Sequence, residues 1–142
     1  MTDPAILDAI PHRPPFLLVD EIVARHDQRI VCRKRFRGDE FWFAGHYPDY
    51  PLTPGVILCE AALQAGAILL AQQTKAAEGV PVATRMDDVR FKKMVRPGDI
   101  IDIDVEITDR VSTAYYLTGK VTLEGQVALR LTFACTIAPR EP

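Results

Sequence analysis

The residues of this chain best suited to chemistry lie within one short stretch. Glu60 sits inside the apolar run Val56-Ile57-Leu58-Cys59-Glu60-Ala61-Ala62-Leu63, fourteen positions after the histidine of Gly45-His46-Tyr47-Pro48. Burying an ionised carboxylate is costly unless something pairs with it or uses it. Between the two runs Pro51-Leu52-Thr53-Pro54-Gly55, a proline-framed turn that would start a helix at a fixed angle. His46 can take a proton near neutral pH, and positioned acid–base groups typically contribute about 10²–10⁴ in rate. Burial is expected to favour the protonated form of Glu60 and make it a proton donor. The free N–H groups at Gly55 and Val56, with the positive end of the helix dipole, suit an oxygen that gains negative charge. Gly55 also lets a ligand approach the backbone closely. Gln64 falls one turn beyond Glu60 on the same helical face. A base, an acid and an oxyanion donor together read as a proton-transfer site.

Plainer roles exist for each residue alone. A loop histidine is commonly structural, and a glutamate in an apolar helix can pair with an arginine or a backbone group. The joint arrangement favours a site. His12 and His26 lack such company and read as a chain-entry contact and an exposed turn residue. Asp87-Asp88 reads as a solvated or hydrogen-bonded turn rather than paired carboxylates or a metal site, because no ligand cluster accompanies it; no metal is expected. No phosphate-binding glycine loop or nucleophile motif occurs.

These residues must be positioned by the rest of a 142-residue chain, which reads as one domain spanning residues 1–142. A long helix is expected from about Val56 to Glu78, apolar nearly all round in its first half and therefore enclosed by other structure. Before it, Pro4 to Ile10 suits a turn or two of helix, and Pro14-Pro15 an extended path. Phe16 to Ala24 and Arg29 to Phe36 suit strands, and Gly38 to Pro54 a structured loop rich in aromatics. After the helix come Val82 to Met94, the alternating Ile101 to Ile107 with its acids turned to solvent, and a hairpin of Tyr115 to Leu123 with Val127 to Ile137. One long helix and five or six antiparallel strands make an α+β fold with a sheet wrapped around the helix.

Composition narrows the function classes. A net charge of −2 argues against broad nucleic-acid binding. Cys32, Cys59 and Cys135 are odd in number and lack ligand spacing, so they read as reduced core thiols. No signal peptide is evident, and the apolar run from Val56 to Ala71 is too short to span a membrane. The expected setting is the cytoplasm, without membrane association.

The stretch Gly45-His46-Tyr47-Pro48-Asp49-Tyr50-Pro51-Leu52-Thr53-Pro54-Gly55-Val56-Ile57-Leu58-Cys59-Glu60-Ala61-Ala62-Leu63-Gln64 resembles the signature of the β-hydroxyacyl-acyl-carrier-protein dehydratases of the FabZ type. So do Pro11-His12-Arg13-Pro14-Pro15-Phe16-Leu17-Leu18-Val19-Asp20 and Arg90-Phe91-Lys92-Lys93-Met94-Val95-Arg96-Pro97-Gly98-Asp99, in matching order. The resemblance implies a hotdog fold, with an antiparallel sheet wrapped around one long central helix. It also implies a homodimer formed by sheet continuation, commonly assembled further as a trimer of dimers. The implied reaction is dehydration of a (3R)-hydroxyacyl group to the trans-2-enoyl product in fatty acid or related lipid or polyene synthesis. In it His46 removes the α-proton, Gly55 N–H holds the enolate-like oxygen, Glu60 of the neighbouring subunit helps the hydroxyl leave, and Gln64 orients that acid. No cofactor is implied; the substrate rides on the phosphopantetheine of acyl carrier protein. Tyr47, Leu52 and Thr53 depart from the usual Phe, Val and Met of the family.

Carrier protein is acidic, and two basic groups could receive it: Arg33, Lys34, Arg35 and Arg37, or Arg90, Lys92, Lys93 and Arg96. The second is preferred. Two other functions fit the same fold, a hotdog acyl thioesterase and a non-catalytic acyl-binding subunit.

Overall fold

The computed structural model describes residues 2–74 and 79–139. In chain order the elements are α1 (Pro4–Ala9), β1 (Glu21–Arg25), β2 (Arg29–Arg35), α2 (Gly55–Ala71), β3 (Val80–Phe91), β4 (Ile100–Val111), β5 (Ala114–Leu123) and β6 (Gln126–Ala138). The six strands form one antiparallel sheet in the order β1-β2-β4-β5-β6-β3, and α2 packs against β2 through β6. This is the hotdog arrangement, α+β with the sheet curved around one central helix. β-Bulges at Ile22/Ala24, Asp87/Arg90 and Ile107/Asp109 supply local bends for that curvature.

The core lies between α2 and the concave sheet face. Leu58, Ala62, Ala65, Ile68 and Leu69 are buried there with Ile30, Ile103, Val105, Leu117, Leu131 and Phe133. Gly66 lets the middle of the helix approach the sheet closely, since a Cβ there would lie 2.8 Å from the Phe133 ring. Alternation in β4 holds as expected for Ile101, Ile103 and Val105, all fully buried. Its outward acids, however, are not simply solvated. Asp102 accepts from Arg33 Nε at 2.8 Å, and Asp104 accepts from Arg29 Nε and Nη2 at 2.8 and 2.6 Å. The hairpin between β5 and β6 turns on Glu124-Gly125, both at positive φ (53° and 78°), the geometry of a two-residue primed turn.

Four expectations need correction. The helix stops at Ala71, with Gln72 to Thr74 forming a turn; residues 75–78, also expected to be helical, lie outside the described residues. At this end Thr74 Oγ1 donates to Leu70 O, while Gln72 and Gln73 reach across to His26 O and Asp27 O. The first strand begins only at Glu21, because Leu17, Leu18 and Val19 are all buried in succession rather than alternating. Pro14-Pro15 is a turn with a cis peptide, closed by Phe16 N–H on Arg13 O at 2.9 Å. Asp87-Asp88 is a bulge inside β3, with Asp88 at φ 50°.

Strand β3 is an edge, which is why it can hold Pro81. It is twelve residues long and exposed along most of its length, including Val82, Met86 and Phe91.

Candidate active site

Residues 36–54 carry His46 and are anchored by an inward-facing lysine. Lys34 continues the buried face of Ile30 and Cys32 on β2, and its side chain is only 4 % exposed. Its Nζ lies 3.5 Å from Glu40 Oε2 and 5.2 Å from the centre of the Phe36 ring. Glu40 also accepts from the N–H groups of Arg37 and Gly38 at 3.0 and 2.8 Å. Burial pushes the Glu40 carboxyl up, but those N–H bonds, its own N–H and the Lys34 charge outweigh it and hold the group below its ordinary value. Around this pair Phe36, Trp42 and Phe43 pack edge to face.

His46 follows at the end of this turn, its N–H bonded to Trp42 O at 3.0 Å. Its Nδ1 lies 3.1 Å from Leu52 O. A carbonyl can only accept, so Nδ1 carries the proton in the neutral ring and Nε2 presents a free lone pair. The Tyr47 ring rests 4.6 Å from the imidazole, and Tyr47 itself holds φ 54°, a region few bulky residues occupy outside functional loops.

The loop ends at Pro54, the N-cap of α2, which supplies no side-chain cap; the first turn contains no acidic residue. Ile57 N–H turns back to Pro54 O at 2.9 Å, and Gly55 and Val56 N–H form no backbone hydrogen bond among the described residues. The helix therefore offers free donors with an uncompensated positive end, as an oxyanion requires. Gly55 also leaves room for Phe91, since a Cβ would sit 2.5 Å from Phe91 Cε1 unless that exposed ring moved aside.

One turn into α2, Glu60 is half-buried, its side chain 25 % exposed, so the single chain does not enclose it as the apolar run suggested. Gln64, 1 % exposed, holds it. Leu18 N–H donates to Gln64 Oε1 at 2.8 Å, which identifies that atom as oxygen and leaves Nε2 to donate to Phe16 O at 2.8 Å and to Glu60 Oε2 at 3.0 Å. Among the described residues Oε2 is thus engaged and Oε1 has no hydrogen-bond partner.

His12 also stands beside this acid, contrary to its reading as a chain-entry contact, with Nε2 3.8 Å from Glu60 Oε2. His46 does not: among the described residues no hydrogen bond or ion pair joins it to Glu60 within one chain. Sequence reasoning missed His12, Phe91 and the Lys34–Glu40 anchor. Two of them lay inside the segments that carried the resemblance, where their spacing alone announced no partner.

The two basic groups separate clearly. Arg33, Lys34, Arg35 and Arg37 do not form a patch, because Lys34 points into the core, Arg33 binds Asp102 and Arg37 lies 3.8 Å from Asp39. In the other group Arg90, Lys92 and Arg96 are exposed, while Lys93 Nζ donates to Gln126 at 3.1 Å. Arg96 stacks on Tyr50, 4.9 Å from the ring centre, and Thr53 N–H bonds Val95 O at 2.8 Å. This basic segment thus borders the loop that leads into Gly55.

The three cysteines are free and buried, and burial pushes the Cys32 thiol up to about 12 and Cys135 up to about 11. Among the described residues no three His, Cys, Asp or Glu side chains gather as metal ligands, and no helix is long and apolar enough to cross a membrane.

Comparison with known proteins gives the family and the fold. Residues 10–132 match the family model of the FabA-like domain. The chain is 41% identical over 132 residues, 91% of each chain, to the 3-hydroxyacyl-acyl-carrier-protein dehydratase FabZ of Staphylococcus carnosus. It is 39% identical over 122 residues to the FabZ of Petrotoga mobilis, covering 86% of this chain and 87% of the relative. Among solved structures, the dehydratase heterocomplex ApeI:P from Xenorhabdus doucetiae superposes with a TM-score of 0.79 at 15% identity, over 95% of this chain and 91% of that one.

Proposed function

The chain belongs to the FabA-like family as a dehydratase of the FabZ type, and on that footing we propose that His46 and Glu60 carry out its reaction, the loss of water from a 3-hydroxyacyl group held on acyl carrier protein. The observation that carries this reading is the opposed preparation of the two groups. His46 presents a bare Nε2 because Leu52 O holds Nδ1–H, and Glu60 presents a free Oε1 because Gln64 holds Oε2.

His46 Nε2 takes the α-proton of the (3R)-hydroxyacyl thioester, and charge builds on the thioester oxygen. Gly55 and Val56 N–H receive that oxygen at the open end of α2. Glu60 gives a proton from Oε1 to the β-hydroxyl, which leaves as water, and the trans-2-enoyl thioester remains. His46 returns its proton to Glu60 through solvent before the next turnover. No cofactor enters the scheme.

Each site combines His46 of one subunit with Glu60 of its partner in a homodimer. Two features support this. Strand β3 is a long unpaired edge able to continue its sheet into a second copy. The open stripe of α2, Val56, Glu60, Leu63 and Ala67, is apolar apart from the acid. Further assembly as a trimer of dimers, a single domain across the described residues and a cytoplasmic setting complete the reading.

Arg90, Lys92, Lys93 and Arg96 receive the acidic carrier, their place beside the Gly55 loop supporting delivery of the phosphopantetheine arm to the helix N-terminus. The test is to incubate purified protein with a carrier-bound 3-hydroxyacyl thioester and follow the conjugated enoyl thioester by absorbance. Enoyl formation abolished by both His46→Ala and Glu60→Gln is expected. Thiol release without enoyl product would instead favour the thioesterase reading.

A further inference from the structure

The side chain of His12 has no role in the scheme above, yet its surroundings are specific. Asp3 caps α1 by accepting from Ala5 N–H at 2.9 Å, which fixes the start of the short helix. At its other end Arg13 clamps the exit, donating to Leu7 O at 2.9 Å, Ile10 O at 2.9 Å and His12 O at 2.7 Å. The guanidinium is thereby turned back onto α1 rather than toward Glu60. Among the described residues no lysine, arginine or histidine side chain other than His12 comes within 4.0 Å of the Glu60 carboxylate. The imidazole is thus presented to the acid by a rigid, hydrogen-bonded segment from outside α2.

Its two nitrogens differ sharply. Nδ1 is buried and has no hydrogen-bond partner among the described residues, whereas Nε2 lies 3.8 Å from Glu60 Oε2. Of the two neutral tautomers, one would bury an orphan N–H at Nδ1 and face a lone pair toward the carboxylate. The other leaves only a bare acceptor buried and aims N–H at the carboxylate. The second sets a donor rather than a lone pair against an oxygen that accepts, and is therefore favoured. The separation is about 1 Å too long for a direct bond, a gap that a small shift or one bridging water closes.

We propose that His12 is a positioning residue for the acid of the same chain: its Nε2–H joins Gln64 Nε2–H on Glu60 Oε2, so that the carboxyl presents Oε1 to the β-hydroxyl and its negative charge is received by two fixed donors once the proton has left. The proposal rests on the acid role given to Glu60. His12 touches neither substrate nor the reacting atoms; it acts through Glu60.

Glutamine and asparagine separate this role from packing, because a glutamine amide nitrogen falls near the Nε2 position and an asparagine amide nitrogen near Nδ1. With carrier-bound 3-hydroxyacyl thioester, His12→Asn should lower kcat about tenfold or more with KM unchanged, and His12→Gln should stay within about threefold of the unsubstituted protein. Equal losses in both variants, or none in His12→Asn, would overturn the proposal while leaving the Glu60 reading intact. Full activity in Glu60→Gln would instead sink the reading on which it rests. A second measurement needs no variant at position 12. The chain has only three histidines, so ring ¹⁵N spectra of the labelled native protein can be assigned. His12 should show the Nε2–H tautomer and its shifts should move in Glu60→Gln. An Nδ1–H tautomer would refute the assignment even if His12→Asn failed to fold.

Discussion

Replacing Gln64 by leucine tests the structural and the chemical side of the site together. Leucine nearly matches the volume of glutamine but makes none of its three hydrogen bonds, to Leu18 N–H, Phe16 O and Glu60 Oε2. Leu18 is buried, so its orphaned N–H costs about 1–3 kcal/mol. The bond to Phe16 O is only part-buried, so its loss adds at most about 1 kcal/mol. The extra apolar surface of leucine offsets about 1 kcal/mol. The expected net loss is therefore about 2 kcal/mol, a melting temperature lower by about 4–8 °C for a chain of this size. Activity should fall further than stability explains. Glu60 loses its fixed donor, and a misplacement of about 1 Å can cost about a hundredfold, seen in kcat with little change in KM. Thermal denaturation and steady-state enoyl formation, measured below the variant's melting transition, read the two effects separately. A melting temperature within about 1 °C of the parent, or unchanged kcat, would refute Gln64 as the residue that orients the acid.

Three further perturbations address the surrounding elements. Glu40→Gln leaves Lys34 buried and unpaired and should cost about 3–5 kcal/mol in urea denaturation, with Lys34→Met restoring much of it in the double variant. Because the Glu40 carboxyl is held below its ordinary 4.5, its stabilising contribution is complete above that value and is lost as pH falls through the depressed one. The acid limb of stability against pH should accordingly be shallower in Glu40→Gln. Gly55→Ala drives a methyl into the Phe91 ring and should cost about 1–3 kcal/mol, relieved when Phe91 is also made alanine; calorimetry of the pair checks this. Charge reversal at Lys92 and Lys93 should raise KM about tenfold for carrier-bound substrate and leave a small thioester analogue unaffected; equal effects would remove the docking role.

Much of the architecture was legible because it rests on local rules. The apolar run after Pro54 made α2 evident, the alternation of Ile101, Ile103 and Val105 made β4 evident, and Glu124-Gly125 marked its hairpin. Interactions between distant segments were not legible. Lys34 counted as a surface charge until the register of β2 turned it inward to meet Glu40. His12 looked solitary because Glu60, 48 positions later, meets it only through the packing of α1 and α2. The candidate site was half legible. Histidine, glycine and glutamate declared themselves by type and spacing, but the carbonyl of Leu52 and the backbone of Phe16 and Leu18, which set their tautomer and orientation, carry no side-chain signature.

Complementation between two inactive variants tests the central claim most directly. His46→Ala and Glu60→Gln subunits, co-expressed with different tags and purified as the mixed dimer, contain one site with both substitutions and one with neither if each site draws on two chains. The account predicts that each variant alone forms no enoyl thioester, whereas the mixed dimer works at about half the parent's kcat, as two-fold symmetry requires. A mixed dimer as inactive as its parents would contradict it.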